Sequence, residues 1–360
     1  MAELRDEHRA AKDAVNPLDD LWPRGYRPRM RRAPFLIALG VLTACTTPSG
    51  SAPSSTVPSS SVSPSPSTSP TKGAISPGAV AIPGPGDMVS AFASIWVQSR
   101  SEGSVWRIGP TGRVDAKIPD ASFAGPSARF GGRSVGLGAG FGSVWSLTGQ
   151  ELVRIDPTSN KASGRLQIRS PYALAVGEGA VWIVYGRGQV RLLRVNPSTM
   201  RAEPFASLGT SVKALGVGDG YVWLVLFSEG GGMERIDPHT GTIHALQVGH
   251  NDRFILPTPR WIWLLDSGKA QRIEPRNGSP VDDRAKEKAA QSIGVAYSDG
   301  TVWVNAGTAV GFDATSGKIT ARIPGFTGVK WWWAGGIAQL GQRVWVADPG
   351  GNRILSLPLE

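Results

Sequence analysis

Side chains suited to chemistry are sparse in this sequence, and they fall in four places. The first is Cys45, the only cysteine, closing the tetrapeptide Leu42-Thr43-Ala44-Cys45. With no second thiol, a disulfide within one chain and a cysteine-based metal site are both excluded. A lone thiol behind a small residue and a short apolar run suits diacylglyceryl attachment better than catalysis. The second place is His250-Asn251-Asp252-Arg253. His250 with Asp252 could form an acid–base pair or a weak metal site, although such a loop pair more often serves surface hydrogen bonding. The third is Lys330-Trp331-Trp332-Trp333, and the fourth is Phe123, Arg129 and Phe130 within Asp120 to Gly132. Alternate side chains on an extended backbone face opposite sides, so three consecutive Trp cannot all point inward. They either stack on a sugar or peptide ligand or plug the wide end of a channel. His239 and His244 flank a Thr-Gly turn without metal-ligand spacing. No Gly-x-Ser-x-Gly, phosphate loop or Cys/His cluster is present, so no catalytic residue, metal ligand or cofactor is assigned from the residues.

The elements that must position these groups are written as a repeat. The dipeptides Ile95-Trp96, Val144-Trp145, Val181-Trp182, Val222-Trp223, Ile262-Trp263, Val302-Trp303 and Val344-Trp345 recur at about 40 residues, the period of a propeller blade. Alternation and short apolar runs bounded by Gly, Pro, Asp and Asn indicate strands, with no helical periodicity. In the third repeat, 173–176, 181–185, 190–195 and 201–208 read as strands a to d, joined by Gly177-Glu178-Gly179 and Asn196-Pro197-Ser198-Thr199. An Arg-Ile-Asp-Pro turn recurs at Arg154 to Pro157 and Arg235 to Pro238 and weakens to Gly311-Phe312-Asp313-Ala314 in the sixth repeat. The fold class is therefore all-β, a seven-bladed propeller of four-stranded blades over 78–360. The last repeat ends one strand short, so Gly78 to Pro83 is expected to supply strand d of blade seven and close the ring. The repeated Trp residues should pack between blades. The connections holding the aromatic clusters join strand d to strand a and lie on the same rim as the b–c loops. That rim, with Phe123, Arg129, Phe130, His250, Asp252, Arg253, Lys330 and Trp331 to Trp333, is the candidate ligand-binding surface. The head is expected to be monomeric.

Before the propeller, Met30-Arg31-Arg32, the apolar run Ala33 to Val41 and the tetrapeptide ending in Cys45 have the layout of a lipoprotein signal peptide over 30–45. The run is shorter than the ~20 residues that span a bilayer. The leader reads best with Met30 as its start, leaving 1–29 as a non-native or unstructured extension; the alternative is a genuine cytoplasmic extension on an uncleaved anchor. Residues 46–77 are Ser, Thr and Pro with almost nothing else, a composition that builds no core and suits a stalk of about 30 Å as a coil. An extracytoplasmic head, lipid-anchored to a membrane, follows. Net charge is +10, but the basic residues are scattered without an aromatic stripe, which disfavours nucleic acid. A protein or cell-wall partner suits the rim better.

The motifs Gly179-Ala180-Val181-Trp182 and Arg235-Ile236-Asp237-Pro238-His239-Thr240-Gly241 resemble those of the virginiamycin B (streptogramin) lyase-like and YVTN-type seven-bladed propellers. The resemblance covers roughly 78–360 and implies the propeller fold. It also carries an alternative function, a metal-dependent lyase or hydrolase opening a cyclic depsipeptide with magnesium. Beyond Cys45 this chain has three His and no Glu-x-His pair, so no catalytic residue carries over.

Overall fold

The computed structural model describes residues 78–122, 136–186, 188–209, 211–227, 232–246, 248, 254–266, 269–281, 285–286, 294–305, 308–323 and 335–359. These form seven antiparallel sheets of four strands. Blade one comprises Pro85–Ala91, Ser94–Ser99, Ser104–Ile108 and Val114–Ile118, strands a to d. Blade two runs from Leu137 to Gln167, blade three from Pro171 to Ser207 and blade four from Val212 to Leu246. Blade five runs from Phe254 to Lys286 and blade six from Gly294 to Ile323. Each strand a touches the strand a of the next blade, and that of blade seven (Ile337–Leu340) returns to that of blade one. The ring is closed and the first strands surround its axis.

Closure follows the expected route. Blade seven takes strands a to c from Ile337–Leu340, Arg343–Asp348 and Arg353–Pro358, and strand d from Gly78–Ala81. The register sets Ala79 against Leu355, Val80 against Ile354 and Ala81 against Arg353. Ile82 N–H then donates to Asn352 O, and Gly84 N–H to Asn352 Oδ1.

The repeated Trp residues explain the motif around them. All seven are at most 2 % exposed, within apolar layers mostly shared by two neighbouring blades. A buried indole N–H needs an acceptor. Trp96, Trp145, Trp182 and Trp223 donate to the carbonyl five residues earlier, at 2.9–3.1 Å, and so tie down their own a–b turns. Opposite the Trp of the first five blades, strand c carries an arginine that leads into the c–d turn: Trp96 pairs with Arg107, Trp145 with Arg154, Trp182 with Arg194, Trp223 with Arg235 and Trp263 with Arg272, whereas Ser356 faces Trp345 in blade seven. The guanidinium lies over the indole in the first three, over Tyr221 in the fourth and over Trp261 in the fifth. Several arginines then reach the c–d turn of the next blade. Arg107 Nη1 donates to Pro157 O, Arg235 Nη1 to Pro275 O and Arg272 Nη1 to Thr315 O. The motif's aspartate folds its own turn: Asp156 accepts from Thr158 N–H and Ser159 Oγ, and Asp237 from His239 and Thr240 N–H. Those donors hold both carboxyls below the ordinary aspartate range, led by the backbone N–H of Thr158 and of Thr240.

Blade six departs from this scheme, as its weakened motif suggests. Gly311 replaces the arginine opposite Trp303, where a Cβ would stand 3.0 Å from ring carbons of that indole. Trp303 therefore lies over Gly311, and its N–H crosses to Gln339 Oε1 of blade seven at 2.7 Å.

Candidate functional site

The strand order gives the propeller two distinct faces. Tight a–b turns and c–d turns occupy one, while b–c loops and d–a connections occupy the other. The two longest d–a connections lead from blade one into blade two and from blade six into blade seven. Phe123, Arg129 and Phe130 belong to the first, and Lys330 with Trp331, Trp332 and Trp333 to the second. All of these lie outside the described residues, as do His250, Asp252, Arg253 and Cys45. The points where both connections re-enter the ring are described, and they share one construction.

On strand b, the second residue after the repeated Trp is Leu147, Val184, Val225, Leu265 or Ala347 in five blades. In blades one and six it is Gln98 and Asn305, which are 3 % and 0 % exposed. A buried amide is expensive unless its donors are met. Gln98 Nε2 donates to Gly136 O at 2.9 Å and to Ser146 Oγ at 2.8 Å, with Leu147 O at 3.4 Å. Asn305 Nδ2 reaches Gly335 O at 3.2 Å and Ala347 O at 3.5 Å. Each amide thus grips two carbonyls of the next blade. One belongs to its residue two past the Trp, the other to the glycine that ends the long connection.

Blade one joins the two ends. Asp87 Oδ2 accepts from Gly136 N–H at 2.8 Å, and Gly86 O accepts from Gly336 N–H at 2.9 Å. Consecutive residues of one inner strand therefore hold the re-entry points of both connections. Asp87 also forms an ion pair with Arg100 at 3.5 Å, both largely buried. Glycine is required at these crossings. A Cβ on Gly336 would lie 2.5 Å from Met88 N, and one on Gly294 would strike the Gly335 carbonyl oxygen. The rim over blades seven, one and two is thus tied by buried polar contacts where the two connections richest in aromatic side chains re-enter the ring.

A second cluster sits on the same face at blades three and four. Phe227 is 57 % exposed with Lys213 Nζ 4.6 Å over its ring. Tyr172 Oη accepts from Val212 N–H at 3.4 Å, and burial raises the pKa of its phenol. His239 lies in the c–d turn of blade four and His244 on the following strand Ile243–Leu246, both exposed on the outside of the ring. Among the described residues no group of three or more His, Cys, Asp or Glu is placed to hold a metal ion.

Sequence reasoning located the two connections but missed Gln98, Asn305 and Asp87. The signal was present in the repeat, since aligning the blades on their Trp leaves Gln98 and Asn305 as the polar residues in an apolar column.

No protein-family model and no curated protein sequence matches the chain. Among solved structures, the chain is similar to virginiamycin B lyase from Staphylococcus aureus, with a TM-score of 0.62 and 15% identity over 79% of this chain and 99% of that one. A streptogramin B lyase gives 0.60 and 14%, covering 77% and 94%. The WD40 domain of Neurospora crassa Pan2 gives 0.59 and 12%, covering 78% and 94%. At these identities the likeness is one of fold, and the fold is host to both lyases and interaction modules.

Proposed function

We propose that the chain is a binding module whose rim over blades seven, one and two receives a cell-envelope ligand, a carbohydrate, peptide or protein. The anchoring of two aromatic-rich connections on adjacent residues, Gly86 and Asp87, carries this reading. Loops that carry aromatic side chains on a hydrogen-bonded scaffold are a common way for proteins to present recognition surfaces. Trp331, Trp332, Trp333, Phe123 and Phe130 supply stacking surface, and Lys330 and Arg129 supply charge. On this reading Cys45 carries the lipid that tethers the head to the membrane outside the cytoplasm. The test is affinity capture from solubilised envelope, using the full chain and its Trp331→Ala, Trp332→Ala, Trp333→Ala triple variant. A partner held by the parent and lost by an equally stable variant supports the reading. Identical capture by both would overturn the site. Magnesium-dependent opening of a cyclic depsipeptide by the full chain, abolished by chelation, would replace binding with the lyase alternative.

A further inference from the structure

We propose that the opposite face, at the a–b turns of blades one and two, rests on a phospholipid bilayer through Phe92 and Phe141. The inference rests on the reading that Cys45 is lipidated, and it adds which face of the head meets the membrane.

Five a–b hairpins turn with a residue of positive φ at the apex followed by a second one. The pairs are Phe92-Ala93, Phe141-Gly142, Glu178-Gly179, Asp219-Gly220 and Asp299-Gly300. Two-residue turns of this hand favour Asn, Asp and Gly. A bulky aromatic in that conformation is an outlier. Yet Phe92 and Phe141 adopt φ of 52° and 54° and are 38 % and 44 % exposed. They occupy equivalent positions in adjacent blades and project from the same face. Nothing in the turn requires a phenyl ring, because the acidic apices of blades three, four and six make the same turn. Strained backbone that presents apolar side chains to solvent points to a use outside the fold.

The entry point of the chain identifies the occupant. Gly78 begins strand d of blade seven opposite Ser356, at the end of the strand nearest the c–d side. A Cβ on Gly78 would lie 3.9 Å from Nη2 of Arg343, the residue that leaves the a–b turn of blade seven. Residues 1–77, with the lipid site at Cys45, therefore join the head on the face of Phe92 and Phe141, one blade away from Phe92. Charge on this face is mixed and selects no lipid headgroup: Arg113 pairs with Asp115 at 3.2 Å and Lys161 shares its turn with Asp156, while Glu178, Asp219 and Asp299 are interspersed around the ring with exposed Arg201, Arg260, Arg276 and Lys318. The apolar pair and the chain's point of entry therefore set the docking face.

The test uses the full chain, lipidated at Cys45 and reconstituted in vesicles of phosphatidylglycerol and phosphatidylethanolamine. Lipidation consumes the native thiol, so Phe92→Cys, Phe141→Cys and Phe227→Cys each offer one site for a nitroxide. A Thr111→Cys variant reports from the same face with both phenyl rings intact. The expected result is loss of relaxation by an aqueous nickel chelate at 92, 141 and 111, with full relaxation retained at 227 on the far rim. Relaxation at 92, 141 and 111 equal to that at 227 overturns the docking surface while leaving the anchor standing. A chain that does not partition with vesicles overturns the anchor and the docking surface together.

Discussion

Glu234 occupies a position on strand c of blade four where blades two and three carry Val153 and Leu193. It shares the side of Ile236, which packs into the apolar layer between blades three and four with Trp182, Leu192 and Leu224. Its Oε2 is buried and meets no donor, and desolvation raises its pKa above the ordinary 4.5. Replacing it with leucine removes an unsatisfied buried acceptor, a change worth about 1–3 kcal/mol. The residue is only half-buried, and screening of the rest of the carboxylate holds the expected gain to ~1–2 kcal/mol at pH 7. That is a rise of several degrees in Tm for a domain of this size. The pH dependence gives the sharper check. A raised native pKa means the folded chain holds the proton more tightly than the unfolded chain. The associated stability is complete below the unfolded carboxyl pKa and is lost as pH rises through the folded value. The advantage of Glu234→Leu should therefore be small at pH 3.5 and grow towards neutrality. Glu234→Gln, which keeps a polar group in place, should gain less. Thermal unfolding of the three proteins at both pH values decides the matter. No gain at pH 7, or the same gain at both, would show that the carboxylate is solvated in the native state.

Other perturbations test the remaining links. Trp182→Ala should cost ~3–5 kcal/mol, since it empties a fully buried site and frees the Gly177 carbonyl, measured by denaturant unfolding. Phe141→Asn should raise Tm, because it relieves an aromatic side chain from a left-handed turn at roughly 1 kcal/mol or more, while weakening contact with vesicles. Gln98→Leu removes the shared buried donor of Gly136 O, Ser146 Oγ and Leu147 O and should cost about 1–3 kcal/mol, measured by denaturant unfolding. Asp156 and Asp237 have lowered native pKa values, so their stabilisation is present above the unfolded carboxyl pKa and disappears as pH falls through the lowered one. Asp156→Ala and Asp237→Ala should therefore flatten the acid limb of the stability–pH curve.

The propeller was legible because its Trp is written seven times and each part of the motif around it has a local physical task. Trp ties the a–b turn, Arg covers Trp, and Asp folds the c–d turn. Even the closing strand could be read, from a blade that ends one strand short. The rim was harder to read because its determinants depart from the repeat instead of stating it. Gln98 and Asn305 look unremarkable singly and acquire meaning only when their partners, Gly136 and Gly335, are known to be neighbours. Phe92 and Phe141 were equally hidden, since a turn apex is recognised by backbone conformation, which Phe does not advertise as Gly or Asn does.

The closing strand also fixes an order of events in time. Gly84 and Asn352, which bond at the seam, lie 268 residues apart in sequence. Blades one to six can assemble from neighbouring segments, but blade seven stays open-edged until Arg353–Pro358 is available and finds Gly78–Ala81. Non-local pairing of this kind is slow. During the wait, the exposed edge of Arg353–Pro358 can accept the same strand from another copy. Refolding at high protein concentration should therefore yield exchanged dimers, each seam made of two chains, that convert to monomer only through unfolding of blade seven.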